Sequence, residues 1–453
     1  MKRKFQPFLL LFSAIMLLSS CLSDNTDTVS YYDTAVTAFS VGTLKQNVVT
    51  AAGNDSVIKT DCSKYKFYID QTTHEIYNPD SLPYGIDASK TLATITSKNS
   101  GTIVVKSLKS DTLTYYSSSD SLDFSSPREL RVYNNAGTGY VAYNVKVNVH
   151  KEKADTFIWN RYNDNRQLAV LSGMKAVCNN NNIYVFGKDN SSLKIYSTAM
   201  NDGNHWSEIT PLTALDANAY DNVIVDNGYF YTLSNGSLLK SSDAVTWTTV
   251  ASGTPLVHLL GCSSKYMYAM GNNNIEVSKD NGATWNADEI DDDASKLPNF
   301  NISFVSRMDS DIDNADRLLI IGNRFVNTDT TAVVWGKLME YSEGAETDSW
   351  MYYDQVEEVV NKAPLHAKLI ALYYNSAVEA FDGSSFYKSP DGGVTWPVDD
   401  TIIIPKDFSG DTKNFTMVKD NDSFLWIIYG SSGQVWKGRY NKLGWTIPQT
   451  SFR

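Results

Sequence analysis

The chain has 453 residues, 51 acidic side chains against 39 basic ones, a formal net charge of −12 and four cysteines. A surplus of negative charge on this scale makes nucleic acid and anionic lipid headgroups poor partners. So few cysteines exclude a fold stapled by disulfides.

The first residues have the layout of a bacterial export signal. Lys2, Arg3 and Lys4 precede an apolar run from Phe8 to Leu18, which ends in Leu18-Ser19-Ser20-Cys21. The run is too short to cross a bilayer core of about 30 Å, and the small residues before Cys21 resemble a lipobox, which implies a diacylglyceryl group on the Cys21 thiol. Residues 1–21 are then a lipoprotein signal. No second long apolar run follows, so the expected link to the outer membrane is acyl chains, on the periplasmic or the cell-surface face. Loss of Lys2, Arg3 and Lys4 without any acidic residue moves the formal charge from −12 to −15. Residues 22–28, with Leu22-Ser23-Asp24-Asn25-Thr26-Asp27, form a polar acidic tether.

With Cys21 lipidated, Cys62, Cys178 and Cys262 remain, an odd number that leaves at least one thiol free. Cys178 stands nine residues before Gly187 and Cys262 nine before Gly271, which puts them at equivalent places in two repeats that are not neighbours. All three read as small apolar core residues.

From 29 to 150 the chain is rich in β-branched and aromatic residues. Thr102-Ile103-Val104-Val105 and the stretch from Tyr140 to Val149 alternate in the manner of half-buried strands, so this segment is expected to be one antiparallel, immunoglobulin-like β-sandwich. Lys151 to Asp155 is a charged linker.

Residues 156–453 repeat. Six units each carry an apolar strand, a second strand (Ile183 to Phe186, Phe230 to Leu233, Met267 to Met270, Leu318 to Ile321, Ala377 to Phe381, Leu425 to Tyr429) and a turn leading to Trp206, Trp247, Trp285, Trp350, Trp396 or Trp445. The tryptophans are spaced by 41, 38, 65, 46 and 49 residues, mostly near the roughly 40 to 50 of a four-stranded propeller blade. Only the fourth unit is long. Ring closure stays open between a strand lent by Phe157-Ile158-Trp159 and completion by Trp445 to Gln449.

Two of the turns are near-identical octapeptides, Ser278 to Trp285 and Ser389 to Trp396. In the pattern S-x-D-x-G-x-T-W, Ser278 and Asp280, like Ser389 and Asp391, are placed to bond the turn's own backbone, with Thr284 and Thr395 at the matching Thr position. Gly282 and Gly393 supply positive φ, and Trp285 and Trp396 anchor the turn in the blade. The turn holding Asp243 and Trp247 is a shortened copy, Ser197 to Trp206 is an expanded one, and the units ending at Trp350 and Trp445 keep little of it.

These octapeptides resemble the Asp box, or bacterial neuraminidase repeat, shared by sialidases, sortilins and many non-catalytic propellers. Tether, sandwich and worn propeller together, with Leu82-Pro83-Tyr84-Gly85, Asp123-Phe124-Ser125, Tyr143 to His150 and Gly438-Arg439-Tyr440-Asn441, resemble a Bacteroidetes lipoprotein family. That resemblance implies architecture and address, not an activity. The triplets Asp80-Ser81-Leu82, Asp111-Thr112-Leu113 and Asp120-Ser121-Leu122 resemble the O-glycosylation sequon of Bacteroidetes exported proteins.

A sialidase needs arginines that grip a carboxylate bidentately, a tyrosine nucleophile activated by glutamate and an acid. Arg161, Arg166, Arg307, Arg317, Arg324, Arg439 and Arg453 are available, but no Arg-Ile-Pro opens the first blade, and Arg439 is expected in a blade turn. Asp309, Asp311 and Asp313 alternate like the start of a calcium loop, though its twelfth position is Ile320 where a bidentate Glu belongs. Asp288-Glu289 and Asp291-Asp292-Asp293 form a second acidic stretch, so Ca²⁺ is the one candidate cofactor. The five histidines show no metal spacing, and phosphate-loop and nucleophile-elbow motifs are absent from the sequence. The expected protein is all-β: an immunoglobulin-like sandwich followed by a roughly six-bladed propeller. Its expected role is non-catalytic binding of a glycan or a surface protein; the alternatives are a sialidase-like hydrolase and a scaffold in a surface complex.

Overall fold

Strands supply nearly all the regular structure in a computed structural model that describes residues 30–50, 54–342, 348–354 and 360–442. The leader with Cys21, the tether, Trp445 to Gln449 and Arg453 lie outside the described residues. The chain divides between Lys153 and Ala154 into two units, each with its own core.

In the first unit, Val36–Val41, Thr91–Ser97 and Ser121–Leu122 form one sheet. A six-stranded sheet runs in the order Tyr68–Asp70, Glu75–Tyr77, Tyr140–Lys146, Arg128–Tyr133, Thr102–Lys106, Leu113–Tyr115. Its pairings are antiparallel except that of Tyr140–Lys146 with Glu75–Tyr77. Alternation along Tyr140–Lys146 turns Tyr143 and Val145 inward, where they meet Phe39, Val41, Leu130 and Val132 from both sheets in one apolar cluster that also holds Cys62.

Among the described residues the second unit contains six sheets. Blade 1 is built from Gly173–Asn179, Asn182–Asp189, Ser192–Ala199 and Ser207–Ile209, and blades 2, 3 and 4 likewise take four successive strands beginning at Ile224–Asp226, His258–Cys262 and Phe300–Met308. Blade 5 pairs Ile370–Tyr374, Ala377–Phe381 and Phe386–Ser389, with a Tyr387–Val398 bridge in the fourth position. The first strands of successive blades touch one another in ring order, and that of blade 6, Phe415–Lys419, touches that of blade 1. This is a closed six-bladed β-propeller. The second strands are the most apolar: Met267–Met270, Ala377–Phe381 and Leu425–Tyr429 are buried at every residue. A strand covered by neighbouring blades on both faces has no solvent side to alternate toward.

The ring is closed by the strand at the start of the unit. Thr156–Arg161 pairs antiparallel with Val435–Asn441 and forms the outer edge of blade 6, from Thr156 opposite Asn441 to Arg161 opposite Trp436. The lent strand around Phe157-Ile158-Trp159, one of the two closures left open by the sequence, is formed; Trp445 to Gln449 lie outside the described residues. Arg439 corrects the expectation of a turn position, because it lies inside Val435–Asn441 and is buried.

The two octapeptides have the same bonds. Gly282 N donates to Ser278 Oγ (2.8 Å), Thr284 N to Asp280 Oδ1 (2.8 Å), Thr284 Oγ1 to Asp280 Oδ2 (2.6 Å) and Trp285 Nε1 to the Gly282 carbonyl (3.0 Å). The counterparts at Gly393, Thr395 and Trp396 measure 2.7, 3.0, 2.7 and 2.9 Å. Worn copies keep the last bond: Trp206 Nε1 donates to the Gly203 carbonyl, and Trp247 Nε1 to that of Ala244, which accepts a φ of +61° in the glycine's place.

Candidate ligand-binding site

Chain direction sorts the loops onto two faces. Within a blade the first and third strands run the same way, so the octapeptide turns, which follow third strands, lie where the first strands end. The opposite face collects the residues that open the first strands and the connections between second and third strands. Ligand sites of propellers sit at the axis of such a ring, where loops from every blade converge.

There the axis holds a cavity of about 260 Å³ with lining residues from all six blades. Its charged lining is Lys175, Asp221, Lys368 and Lys419, three cations to one carboxylate, in a chain whose total charge is −12. Side chains bonded to the backbone of the next blade fix the wall. Ala176 N donates to Thr416 Oγ1 (2.7 Å), Leu259 N to Asn222 Oδ1 (3.0 Å) and Ala371 N to Ser303 Oγ (3.0 Å).

Four ionisable groups, Lys175, Asp221, His258 and Lys368, gather at the mouth. Lys175 Nζ donates to the Asp221 carbonyl oxygen at 3.0 Å, and His258 Nδ1 stands 3.9 Å from the Asp221 carboxylate. Lys368 Nζ reaches the Met174 carbonyl at 3.4 Å. The backbone carrying Lys368 is strapped to blade 4, because Leu369 N donates to Asn301 Oδ1 (2.9 Å) while Asn301 and Asn323 both donate to the His366 carbonyl. Burial pulls the Lys368 ammonium down to about 8, with the Lys175 charge adding to the effect and Asp221 opposing it. Burial likewise lowers Lys175. His258 falls to about 4, through burial first and then Lys175, so it is neutral at pH 7.

Beside the mouth lies an aromatic platform. Phe300 opens the first strand of blade 4 and Phe325 sits in the connection after that blade's second strand. Their rings stack at 4.5 Å and 15°, yet they are 36% and 77% exposed. Phe325 N bonds Asn299 Oδ1, and Arg324 is locked by a two-point pair with Asp329, so the platform is held from beneath. Large exposed aromatic surface is costly to leave in water and signals a contact surface.

The residues singled out in the sequence lie elsewhere. Both octapeptides, Asp243 and Trp247 belong to turns on the opposite face. Asp309 accepts from Asp311 N and Ile312 N and pairs with Arg317, so its carboxylate is committed to its own turn. In the second acidic stretch Asp288 pairs with Lys337, Asp292 with Lys296, Asp291 accepts from Tyr352 N and Asp293 from Ser295 N. Among the described residues no three His, Cys, Asp or Glu side chains converge as a metal-binding group, Asp309, Asp311 and Asp313 included.

The arginines also disperse. Arg161 pairs with Asp164 and Asp407, Arg324 with Asp329 and Arg317 with Asp309. Arg307 lies over the Tyr373 ring and, with Arg317 and Tyr353, borders a second cavity of about 380 Å³ on the octapeptide side between blades 4 and 5. Among the described residues no arginine lines the axial cavity. Cys62, Cys178 and Cys262 are free thiols pushed upward chiefly by burial, Cys178 to about 11, which keeps them protonated and unreactive.

The sequence reading missed Lys175, Asp221, His258 and Lys368. One signal was present: lysine at the opening of two otherwise apolar first strands, in Gly173-Met174-Lys175-Ala176-Val177 and Lys368-Leu369-Ile370-Ala371-Leu372.

No curated protein matches the chain. Among solved structures it is similar to a Trichoderma reesei carbohydrate-active enzyme of family AA12 (11% identity, 63% of this chain and 96% of that one, TM-score 0.36). It is also similar to the extracellular domain of a putative hybrid two-component system from B. thetaiotaomicron (10%, 61% and 39%, 0.35). An endo-arabinase from Bacteroides thetaiotaomicron matches at 14% identity over 55% and 99% of the two chains, with a TM-score of 0.29. Residues 39–147 match the DUF6242 N-terminal domain, a domain of unknown function, and residues 153–448 match the DUF6242 beta propeller domain. The chain therefore belongs to the DUF6242 family, as an N-terminal domain followed by a β-propeller.

Proposed function

We propose that this protein is a lipid-anchored binding protein whose propeller captures glycan at the mouth of its axis. The observation that carries the reading is the exposed Phe300–Phe325 stack beside a cavity lined by all six blades. Flat aromatic faces suit the apolar faces of sugar rings, and the amide and hydroxyl groups around such a platform suit their hydroxyls. A sialidase-like hydrolase is disfavoured because, among the described residues, the cavity lining contributes lysines but no arginine to grip a carboxylate. The test is a glycan-array screen of the chain from Ser23 onward beside its Phe325→Ala variant. Reproducible hits that the variant loses support the reading; a blank array overturns it and favours a protein-binding scaffold.

The address rests on the sequence. Acylation of Cys21 would anchor the protein in the outer membrane, and no helix among the described residues is long and apolar enough to cross a membrane. Incorporation of labelled palmitate that disappears in Cys21→Ser tests the anchor. The immunoglobulin-like description of the first unit rests on its three-stranded and six-stranded sheets, which share a core that also takes Leu44 from the two-stranded pair Thr43–Val49 and Asp55–Asp61.

A further inference from the structure

We infer that the mouth of the propeller axis takes an anionic substituent of its ligand, a carboxylate or a sulfate carried on a ring, between the ammonium groups of Lys175 and Lys368. The inference rests on the reading that the mouth is the ligand site, and it specifies the chemistry selected there.

The argument begins with what the two lysines lack. Among the described residues neither Lys175 nor Lys368 has a carboxylate within ion-pair distance; each ammonium meets one backbone carbonyl, that of Asp221 or of Met174. An ammonium has three donors, so two on each remain for a ligand. Asp221 turns its carboxylate toward His258 and is 64% exposed there, so its charge offsets the buried cations only in part and neither lysine has it as an ion-pair partner. Burying cations without a partner is unfavourable, and a fold that needed only packing would place apolar side chains at these two positions. Lys419 lies in the same cavity at the far end of its strand, adding positive potential along the axis.

Geometry supplies the second half. Phe300 is followed by Asn301, which bonds Leu369, the neighbour of Lys368. The aromatic platform and the cationic mouth are thus joined by one strap of bonded backbone. A ring lying on Phe300 and Phe325 would carry a substituent toward the axis, where an oxyanion could accept from both ammonium groups. His258, neutral at pH 7, adds no competing charge. Charge-assisted bonds to an oxyanion in so enclosed a place are stronger than neutral ones, which gives selectivity for acidic over neutral ligands.

The test is calorimetric titration of the chain from Ser23 onward with three polysaccharide classes, neutral, uronate-bearing and sulfated, together with melting curves in glucuronate and in inorganic sulfate. The expected result is at least tenfold preference for one acidic class over the neutral one, weakening as salt rises. Lys368→Met should lose tenfold or more in affinity and Lys368→Arg should retain most of it; Lys175→Met provides a second variant, and melting curves establish that each is folded. Preference for uronates assigns the carboxylate and preference for sulfated chains the sulfate. Equal binding of neutral and acidic glycans, unchanged in Lys368→Met, overturns the inference and leaves the glycan reading standing. Stabilisation by glucuronate or sulfate that depends on Lys368, with no polysaccharide bound, supports the oxyanion site and overturns the glycan reading. Silence in every arm overturns both.

Discussion

Trp350 Nε1 donates to the Asp288 carboxylate at 2.8 Å, joining the end of the fourth blade to the last strand of the third, Asn286–Asp288. Lys337 reaches both oxygens of the same carboxylate at 2.7 Å, and it is almost wholly buried. This blade has lost the octapeptide turn that ties other tryptophans to their own hairpins, and one carboxylate replaces that tie. Asp288→Ala therefore strands a buried ammonium and an indole N–H together, a loss of about 3–5 kcal/mol. Urea unfolding should show it, and adding Lys337→Met should recover a large part, because the stranded charge is then gone. No recovery would mean that the Trp350 bond carries the effect.

The octapeptides separate two glycines that look alike in sequence. Gly393 has a φ of +111°, and a Cβ there would come within 2.5 Å of Leu319. Gly393→Ala should therefore cost about 2–3 kcal/mol through strain and overlap. Gly392 has a φ of +76° with open space around it, and the matching residue of the other octapeptide, Asn281, adopts +57°. Gly392→Asn should be neutral or stabilising by up to about 0.5 kcal/mol. Thermal melts of the two variants side by side check the contrast.

The blades were legible because their signal repeats. Each second strand is buried by the blades beside it, so Met267–Met270 and Leu425–Tyr429 appear as unbroken apolar runs wherever the ring recurs. Closure was legible only as a choice, since the partnership of Thr156–Arg161 with Val435–Asn441 joins opposite ends of the unit and leaves no local mark. Arg439 was misplaced for a related reason. The last blade's third strand runs on through the residues that form a turn in other blades. Apart from the lysines that open two apolar first strands, the mouth left no mark in the sequence, because Lys175, Asp221, His258 and Lys368 come from four blades and no spacing relates them. Acidic stretches drew attention instead, and their carboxylates go to backbone N–H groups and lysines, the ordinary fate of Asp in turns.

A buried acid pair in blade 5 makes stability pH-dependent. Glu379, 1% exposed, is raised to about 9 by burial first and then by the neighbouring Asp399 carboxylate, with Lys388 at 3.9 Å opposing. Between about 4.5 and 9 the folded chain holds a proton that the unfolded chain has released. Stability contributed by this group is therefore complete below about 4.5 and falls as pH rises through the window. Glu379→Gln removes the titration, so it should gain about 1–3 kcal/mol at pH 8 and change little at pH 5. Urea unfolding at the two pH values reads the difference, and an equal effect at both would show that Glu379 is not held protonated.

Lys368 should show the opposite sign, and with it the conflict between folding and binding that a ligand site imposes. Its folded value of about 8 lies below the ordinary lysine value of 10.5. Between those limits the unfolded chain binds the proton that the folded chain has lost, so stability rises with pH across the window, and below about 8 the penalty is fully present. Lys368→Met should then raise stability at pH 7 by about 1–2 kcal/mol, discounted because the side chain is only half-buried. At pH 10 the gain should shrink. Unfolding curves at pH 7 and pH 10 measure both, and they connect to the titrations. A variant that is more stable yet has lost its acidic ligand keeps an uncompensated charge out of the axis at the expense of recognition. A variant less stable than the parent at pH 7 would mean that the Lys368 ammonium already has adequate compensation without a ligand.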